Sequence, residues 1–259
     1  MNSSSSIQNN QGVIYCATGE AFIKETLISV DSLKQKSPQL PITLFTDQAE
    51  FTHPLIDEVV WIENPTNSFL DRFKAFAQSP YQKTLYLDSD TLILQPLDEL
   101  FVLLDRAELA AAHAPLRVSH NTQLTHEEIP CSFSQFNCGV LAYKKSPQMT
   151  KLFEDWQQRF IHHRSLDCDS CDQPSFREAL WFSKFLYHVL PPEYNFRLLF
   201  YTLKGIRSKI SIVHSHIFSQ MSEADIESFK DLLDERASLV WDPYRENITT
   251  NQYTSKKWR

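Results

Sequence analysis

Short apolar segments of β-type composition alternate with amphipathic helical segments throughout the first half of the chain. The apolar segments lie at residues 13–16, 42–45, 59–62 and 84–87. Between the first two, apolar residues recur at helical spacing from Ile23 to Leu33, and residues 69–77 predict a second helix before the fourth segment. Strands that alternate with helices in this way are typical of an α/β domain with a mainly parallel sheet.

The second half of the chain predicts a more mixed pattern. Strands are expected at residues 109–112, 139–143 and 210–213, and helices around 101–104 and after Ser146, Asp172 and Ser222. Ser146 and Asp172 are each followed within two positions by a proline, which is typical of a helix start. We expect a single domain over residues 12–240, with a mixed, mainly parallel central sheet flanked by helices. A disordered leader (1–11) would precede it and a C-terminal tail (241–259) would follow.

Glycine is scarce, and this scarcity excludes several enzyme classes. The chain has four glycines among 259 residues. Their positions match neither the dinucleotide-binding G-x-G-x-x-G nor the Walker loop G-x-x-x-x-G-K-[ST]. The G-x-S-x-G elbow of serine hydrolases and the glycine loop of protein kinases are also absent. A net charge of −7 argues against a nucleic-acid partner, because nucleic-acid binding depends on clustered Lys and Arg.

The expected location follows from the hydropathy pattern. No segment approaches the roughly 20 apolar residues of a transmembrane helix, and residues 1–10 lack the apolar core of a signal peptide. We therefore expect a cytoplasmic protein without a transmembrane segment, and attachment to the periphery of a membrane stays open. The five cysteines are then expected to be reduced. Cys168 and Cys171 leave metal or redox chemistry open as an alternative.

The strongest functional signal is Asp88-Ser89-Asp90, which follows the fourth apolar segment. At the carboxyl end of a strand in an α/β sheet, two carboxylates line the crevice where ligands bind, and their burial is costly unless a positive group is near. Strict pleating would point them to opposite faces. We therefore expect a turn at Ser89 that brings both to one divalent cation, Mg²⁺ or Mn²⁺. A solvated acidic turn is one alternative. An aspartyl-phosphate phosphatase, D-x-D-x-[TV], is another, although its fifth position is Leu92 here.

Six segments, in order along the chain, resemble family 8 glycosyltransferases, the group that contains glycogenin and the bacterial lipooligosaccharide galactosyltransferases. The segments are Ala17-Thr18-Gly19-Glu20-Ala21-Phe22, Arg72, the strand from Lys83 to Leu92, Phe136-Asn137-Cys138-Gly139-Val140, Asp169-Ser170-Cys171-Asp172-Gln173 and Ile212-Val213-His214. They are similar to the family's Thr-Thr-Asn-x-x-Tyr segment, donor-binding basic residue, D-x-D strand, F-N-x-G-V, D-x-x-D-Q and late metal-binding His. The resemblance implies the GT-A nucleotide-diphospho-sugar transferase fold and a nucleotide-sugar donor.

The resemblance also implies roles for individual residues. Asp88, Asp90 and His214 would bind the metal, with the imidazole favouring Mn²⁺ over Mg²⁺, and His216 is an alternative ligand. Asp172 and Gln173 would be the catalytic pair that faces the reacting sugar. The residues implied to bind the donor are Ala17, Thr18, Gly19, Phe22, Arg72, Lys74, Asp88, Ser89, Asp90, Asn137, Cys138, Gly139, Asp172 and Gln173. The alternatives are core packing of Phe22, a solvated position for Arg72 or Lys74, a buried and hydrogen-bonded His214 that binds no metal, and helix capping by Asp172 with Gln173 exposed.

The chain departs from the family pattern after His214. The family continues with G-x-x-K-P-W, whose lysine binds phosphate, whereas this chain continues with Ser215-His216-Ile217-Phe218-Ser219-Gln220. The candidates to replace that lysine are Lys204, Arg207, Lys256 and Lys257, and the alternative is that the metal ion alone balances the phosphate charge. The acceptor side is expected from the loops 113–131 and 161–171, together with the proline-containing loop from Leu190 to Asn195.

The expected activity is metal-dependent transfer of a sugar from a UDP-sugar to a glycan, lipid or small-molecule acceptor. The resemblance favours retention of the anomeric configuration, whereas an inverting route would need a carboxylate base, for which Asp172 or Glu193 could serve. A nucleotide-sugar binding module without turnover is the alternative outside enzymes.

Overall fold

The structure of the protein is a computed structural model that describes residues 10–119, 124, 126–166, 171–197 and 210–235. Most of the predicted leader and all of the predicted tail lie outside the described residues. The same holds for Cys168, Lys204, Arg207, Lys256 and Lys257.

Within the described residues the chain forms ten strands and six α-helices. The strands are β1 (Gln11–Ala17), β2 (Ile42–Thr46), β3 (Glu58–Trp61), β4 (Lys83–Leu87), β5 (Thr91–Ile93), β6 (Leu109–His113), β7 (Phe136–Lys144), β8 (Tyr187–Leu190), β9 (Phe196–Arg197) and β10 (Ile212–His214). The helices are α1 (Glu20–Lys36), α2 (Asp71–Gln78), α3 (Glu99–Leu103), α4 (Pro147–Ser165), α5 (Gln173–Phe182) and α6 (Glu223–Glu235). None of these helices combines the length and the apolar run that crossing a bilayer requires.

Seven of the strands form the central sheet, in the order β3-β2-β1-β4-β7-β6-β8. All of them run in one direction except β7, which is antiparallel to both β4 and β6. This confirms the predicted mixed, mainly parallel sheet. The parallel strands therefore end at one edge of the sheet, where β7 begins. We call it the carboxyl edge.

The central sheet is buried on both faces, as a mainly parallel sheet requires. On one face Val13 and Tyr15 pack with apolar residues of α1 and α3. On the other, Ile14 packs with an aromatic cluster from α2, α4 and α5, at whose centre lies the fully buried Trp156. The Trp156 ring lies 4.9 Å from the ring of Phe73 and 4.4 Å from that of Phe176, so it holds the three helices together.

A second, three-stranded sheet, in the order β5-β10-β9, lies beyond the end of β4. The predicted strand at residues 210–213 is β10 and belongs to this sheet, while β5 and β9 were not predicted. Strands of two or three residues are too short to show a periodic pattern. The chain thus passes from the central sheet into the small sheet through Asp88-Ser89-Asp90.

Candidate functional site

The turn between β4 and β5 brings Asp88 and Asp90 to one side of the chain. The Asp88 N–H donates to the Gly139 carbonyl (2.8 Å), so the ladder with β7 reaches one residue past Leu87. The hydroxyl of Thr91 then donates to the Asp88 carbonyl (2.9 Å) and closes the turn. The predicted departure from strict pleating is therefore confirmed.

His214 reaches this turn through strand pairing. In the antiparallel ladder of β10 with β5, His214 lies opposite Thr91, and the Ser215 N–H donates to the Asp90 carbonyl (2.8 Å). The imidazole Nε2 of His214 lies 2.9 Å from Asp90 Oδ1 and 3.7 Å from Asp88 Oδ2. Asp88 and Asp90, which belong to one turn, thus lie close to His214, which is distant in the sequence.

A chain of amides orients the imidazole ring of His214. The Gly139 N–H donates to Asn137 Oδ1 (2.9 Å), and the same oxygen accepts from the side-chain amide of Asn195 (2.9 Å). The remaining oxygen of Asn195 then faces His214 Nδ1 at 2.8 Å. Nδ1 can therefore form a hydrogen bond with this oxygen, and Nε2 is the ring nitrogen that faces the two carboxylates. A second hydrogen bond of this kind orients metal-binding histidines in general.

The residues present fit a divalent metal ion. Ligand atoms of Asp88, Asp90 and His214 all lie within 4.8 Å of one another. The buried Oδ2 of Asp90 has no hydrogen bond. Two carboxylates and one imidazole suit a divalent ion such as Mn²⁺ or Mg²⁺. Only glycine fits at Gly139, because a Cβ there would lie 2.2 Å from His214 Cε1 and 2.7 Å from Asp88 Oδ2.

Arg72 connects this acidic turn to α5. Its guanidinium is buried and donates from Nη1 to Asp172 Oδ2 (2.8 Å) and from Nη2 to Asp88 Oδ1 (3.0 Å). It lies 4.4 Å from the ring of Phe69 and 5.4 Å from that of Tyr86, whose hydroxyl also donates to Asp88 Oδ1 (2.6 Å). The alternative of a solvated Arg72 is wrong. Because Asp88 Oδ1 already accepts two hydrogen bonds, Oδ2 is the oxygen that faces His214.

Asp172 and Gln173, the predicted catalytic pair, lie where α5 begins at the carboxyl edge. The Asp172 carboxylate makes no capping hydrogen bond, so the capping alternative is wrong and its partner is Arg72. Burial raises the pKa of Asp172, against the opposing charge of Arg72 and in the same direction as the nearby charge of Asp88. Gln173 Oε1 lies 3.5 Å from Gln135 Nε2.

The pKa of Asp90 shifts in the opposite direction to that of Asp172, although burial acts in the same way on both. Burial would raise the pKa, but the charge and the hydrogen bond of His214, together with the charges of His216 and Arg197, hold it well below its usual value. Asp90 is therefore ionised in the folded protein, as a metal ligand must be.

The predicted base-binding segment lies at the end of β1. The Thr18 hydroxyl donates to the buried Asp71 (3.0 Å), and the Gly19 N–H donates to Asp47 Oδ1 (3.0 Å) at the end of β2. Gly19 has φ 94°, a conformation that favours glycine. Phe22 is 51 % exposed, so its alternative role as a core residue is wrong. A solvent-facing aromatic ring in this position is available for stacking on a ligand.

Other predicted donor-binding residues have partners within the protein. Ala17 is buried as the last residue of β1. Lys74 donates to the Glu63 carbonyl (3.0 Å). The Cys138 side chain packs in the aromatic cluster with α2, α4 and α5, and burial raises the pKa of its thiol well above the usual value. None of these three observations tests a role in donor binding.

His216, the alternative metal ligand, lies at the mouth of the site. Its Nδ1 is 3.3 Å from Asp90 Oδ2 and 3.4 Å from Oε1 of the buried Glu25. The Ser89 hydroxyl donates to the other oxygen of Glu25 (3.1 Å). The hydrogen bond to Glu25 raises the pKa of His216, against the effect of partial burial.

Several residues of the site were not predicted. Asn195, which orients His214, fell in a proline-containing loop that was assigned to the acceptor side. Glu25 lies on a helix whose apolar stripe gave no reason to single it out, and Arg197 lies on the short strand β9. Asp47 carried a usable signal, because it directly follows a buried strand and so had to lie at the carboxyl edge.

The architecture defines the class of fold. A mainly parallel central sheet flanked by helices, with the acidic turn at its carboxyl edge, is the GT-A glycosyltransferase fold. The chain is similar to the crystal structure of mouse xyloside xylosyltransferase 1 in its apo form, with a TM-score of 0.56 and 15 % sequence identity over 82 % of this chain and 99 % of that chain. At this identity the similarity shows the fold alone. No family model and no curated protein matches the sequence.

Proposed function

We propose that this protein is a metal-dependent glycosyltransferase of the family 8 type, which transfers a sugar from a UDP-sugar to a glycan, lipid or small-molecule acceptor with retention of configuration. The observation that carries the proposal is the convergence of Asp88, Asp90 and His214 within 4.8 Å at the carboxyl edge of a GT-A fold. The expected cytoplasmic location is part of the same proposal.

The reaction requires that the negative charge on the leaving group be stabilised. As the anomeric C–O bond breaks, negative charge grows on the departing diphosphate. A divalent ion, Mn²⁺ or Mg²⁺, held by Asp88, Asp90 and His214 would stabilise that charge as a Lewis acid.

The protein's own residues would position the reactants. Arg72 holds Asp88 and Asp172 in fixed places, so Asp172 can orient the hydroxyls of the donor sugar, with Gln173 beside the anomeric carbon. Phe22 offers an exposed ring for the base next to the backbone of Thr18 and Gly19. The segment from Thr18 to Phe22 follows β1 and Asp88 follows β4, the neighbouring strand, so an extended nucleotide-sugar would lie along the carboxyl edge.

Calorimetric titration of UDP with and without Mn²⁺ tests the proposal. We expect the wild-type protein to bind UDP in the presence of Mn²⁺ and the Asp88→Ala, Asp90→Ala variant to lose this binding. Asp105→Ala is the matched control, since Asp105 is an exposed carboxylate that pairs with Lys83 at the start of β4, away from the carboxyl edge. Equal UDP binding by the wild type and the double variant would refute the proposal.

Turnover separates an enzyme from a binding module. We expect Mn²⁺-dependent hydrolysis of at least one member of a UDP-sugar and GDP-sugar panel, and the anomeric form of the first product would report retention. Binding without any hydrolysis would favour the binding module, whereas metal-dependent cleavage of a generic aryl phosphate would favour the phosphatase alternative.

A further inference from the structure

We propose that Arg197 binds the diphosphate of the donor and so takes the part of the phosphate-binding lysine that the chain lacks after His214. The inference rests on the proposed function and assigns a residue to it that none of the sequence motifs contains. The inference starts from the lack of positively charged residues after His214. Residues 210–222, which include His214 and the loop after it, contain neither Lys nor Arg.

Strand pairing places Arg197 beside the metal ligands. In the parallel ladder of β9 with β10, Arg197 is the partner of His214. Its Nη1 lies 3.7 Å from Asp90 Oδ2, the oxygen that has no hydrogen bond. The Arg197 side chain is 22 % exposed, compared with 3 % for Asp90 and 6 % for Arg72. Arg197 is therefore a positive group beside the acidic cluster that is more accessible to solvent than Asp90 or Arg72.

Arg72 cannot serve in its place without losing its own contacts. Both of its Nη atoms donate to carboxylates, one of Asp172 and one of Asp88, and its side chain is enclosed. Removing it from these carboxylates would leave them buried without a cation, which is strongly unfavourable. Within the described part of the chain, Arg197 is an arginine that lies 3.7 Å from Asp90 Oδ2 and is less enclosed than Arg72.

The charge balance of the site calls for such a residue. The two carboxylates of Asp88 and Asp90 balance the formal charge of one divalent ion, so the negative charge of a diphosphate that coordinates this ion calls for a further cation nearby. Once Asp90 ligates an ion, its carboxylate attracts Arg197 less strongly. A guanidinium can then form two parallel hydrogen bonds to phosphate oxygens, which an ammonium group cannot do.

The test compares two ligands that Arg197 affects in opposite directions. UDP binding is measured at saturating Mn²⁺ by calorimetry, and Mn²⁺ binding without nucleotide is measured by electron paramagnetic resonance. In Arg197→Gln we expect UDP affinity to fall about 10- to 100-fold, the loss typical of hydrogen bonds to a charged group. Mn²⁺ alone should bind equally well or more tightly, because a cation next to Asp90 has been removed. Arg197→Lys should recover part of the UDP affinity.

Arg106→Gln is the matched control, because Arg106 is an exposed arginine before β6, at the opposite edge of the central sheet. It should bind both ligands as the wild type does. Wild-type UDP affinity in Arg197→Gln would overturn the inference, and so would a parallel loss of UDP and Mn²⁺ binding, which would show that Arg197 only supports the fold of the site. If the wild-type protein itself binds no UDP with Mn²⁺, the proposed function fails, and the inference fails with it.

Discussion

Helices α4 and α5 begin with similar sequences, yet the polar residues at their starts have different tasks. The Ser146 hydroxyl accepts a hydrogen bond from the Met149 N–H (3.0 Å) and caps α4 in the usual way. At the start of α5, the Asp172 side chain turns away from the helix and pairs with Arg72. The same local signal therefore marks a helix start in both places, but the side chain caps its helix in only one of them.

The backbone at Asp172 explains how the side chain can leave the cap. The Asp172 carbonyl accepts hydrogen bonds from the Trp156 indole (3.1 Å), the Ser175 hydroxyl (2.7 Å) and the Phe176 N–H (3.0 Å). The first of these comes from α4, so the aromatic cluster fixes the backbone that carries the carboxylate. The Asp172 side chain is therefore not needed to start its helix, and it pairs with the buried Arg72 instead.

The strongest test of this difference is Arg72→Met. It removes the cation between two carboxylates while keeping much of the apolar volume. Because breaking a buried ion pair leaves uncompensated charge, we expect the free energy of unfolding to fall by about 3–5 kcal/mol. Urea denaturation measures it. Combining Arg72→Met with Asp172→Asn should cost less than the sum of the single changes, whereas simple additivity would mean that the two residues do not depend on each other.

Asp172→Asn separates the functional task from the structural one. The amide keeps the shape of the side chain, so we expect stability to change by less than about 1 kcal/mol, while donor turnover falls about 100-fold through loss of a preorganised charge. The matched control is Asp155→Asn in α4, since Asp155 is a partly exposed carboxylate paired with Arg159. Unchanged turnover in Asp172→Asn would place Asp172 with Ser146 as a structural residue.

The pH dependence of unfolding gives an independent measure of Asp172. Because burial raises its pKa, the folded protein binds a proton that the unfolded chain, with a pKa of about 3.9, has already lost. This contribution to stability is present at low pH and is lost as pH rises from about 3.9 through the folded pKa. The stability of the wild type relative to Asp172→Asn should therefore fall across that range, and a constant difference would contradict the assigned pKa shift.

The same contrast shows what the sequence could reveal. The strands at residues 13–16, 42–45 and 84–87 were predicted because each is a compact apolar segment next to a helix or a turn, and this pattern is local. Of the small sheet only β10 was predicted, because the sheet forms by pairing residues such as Thr91 and His214, which are far apart in the chain. Spacing alone could not have shown that pairing.

The residues of the site also fall into two groups, those that the sequence predicted and those that only the structure reveals. The Asp88 and Asp90 carboxylates were predicted from one motif, and His214 from a resemblance to known enzymes. The support of Asn195 and Tyr86 has no sequence signature, since amide and phenol side chains occur in many ordinary packing positions. Their role appears only when the distances to His214 and Asp88 are known.

Trp156→Phe tests whether the packing of α4 positions Asp172. The change removes the indole donor to the Asp172 carbonyl, which keeps its hydrogen bonds from Ser175 and Phe176. We expect a loss of about 1–2 kcal/mol in the free energy of unfolding, from the lost hydrogen bond and the small cavity. Turnover should also fall at saturating donor, measured at a temperature where the variant is fully folded. A stability loss with unchanged turnover would show that α4 does not hold the carboxylate in place.

Ser146→Ala should have the smallest effect and completes the contrast. Loss of the cap leaves the Met149 N–H without its partner and should lower the free energy of unfolding by about 1 kcal/mol. UDP binding and turnover should match the wild type, because Ser146 lies after β7, at the edge of the sheet opposite to Asp88. Ser146→Asp is the conservative control and should restore the cap, since an aspartate oxygen can accept the same hydrogen bond. If Ser146→Ala reduced UDP binding without affecting stability, the two helix starts would not differ in the way proposed.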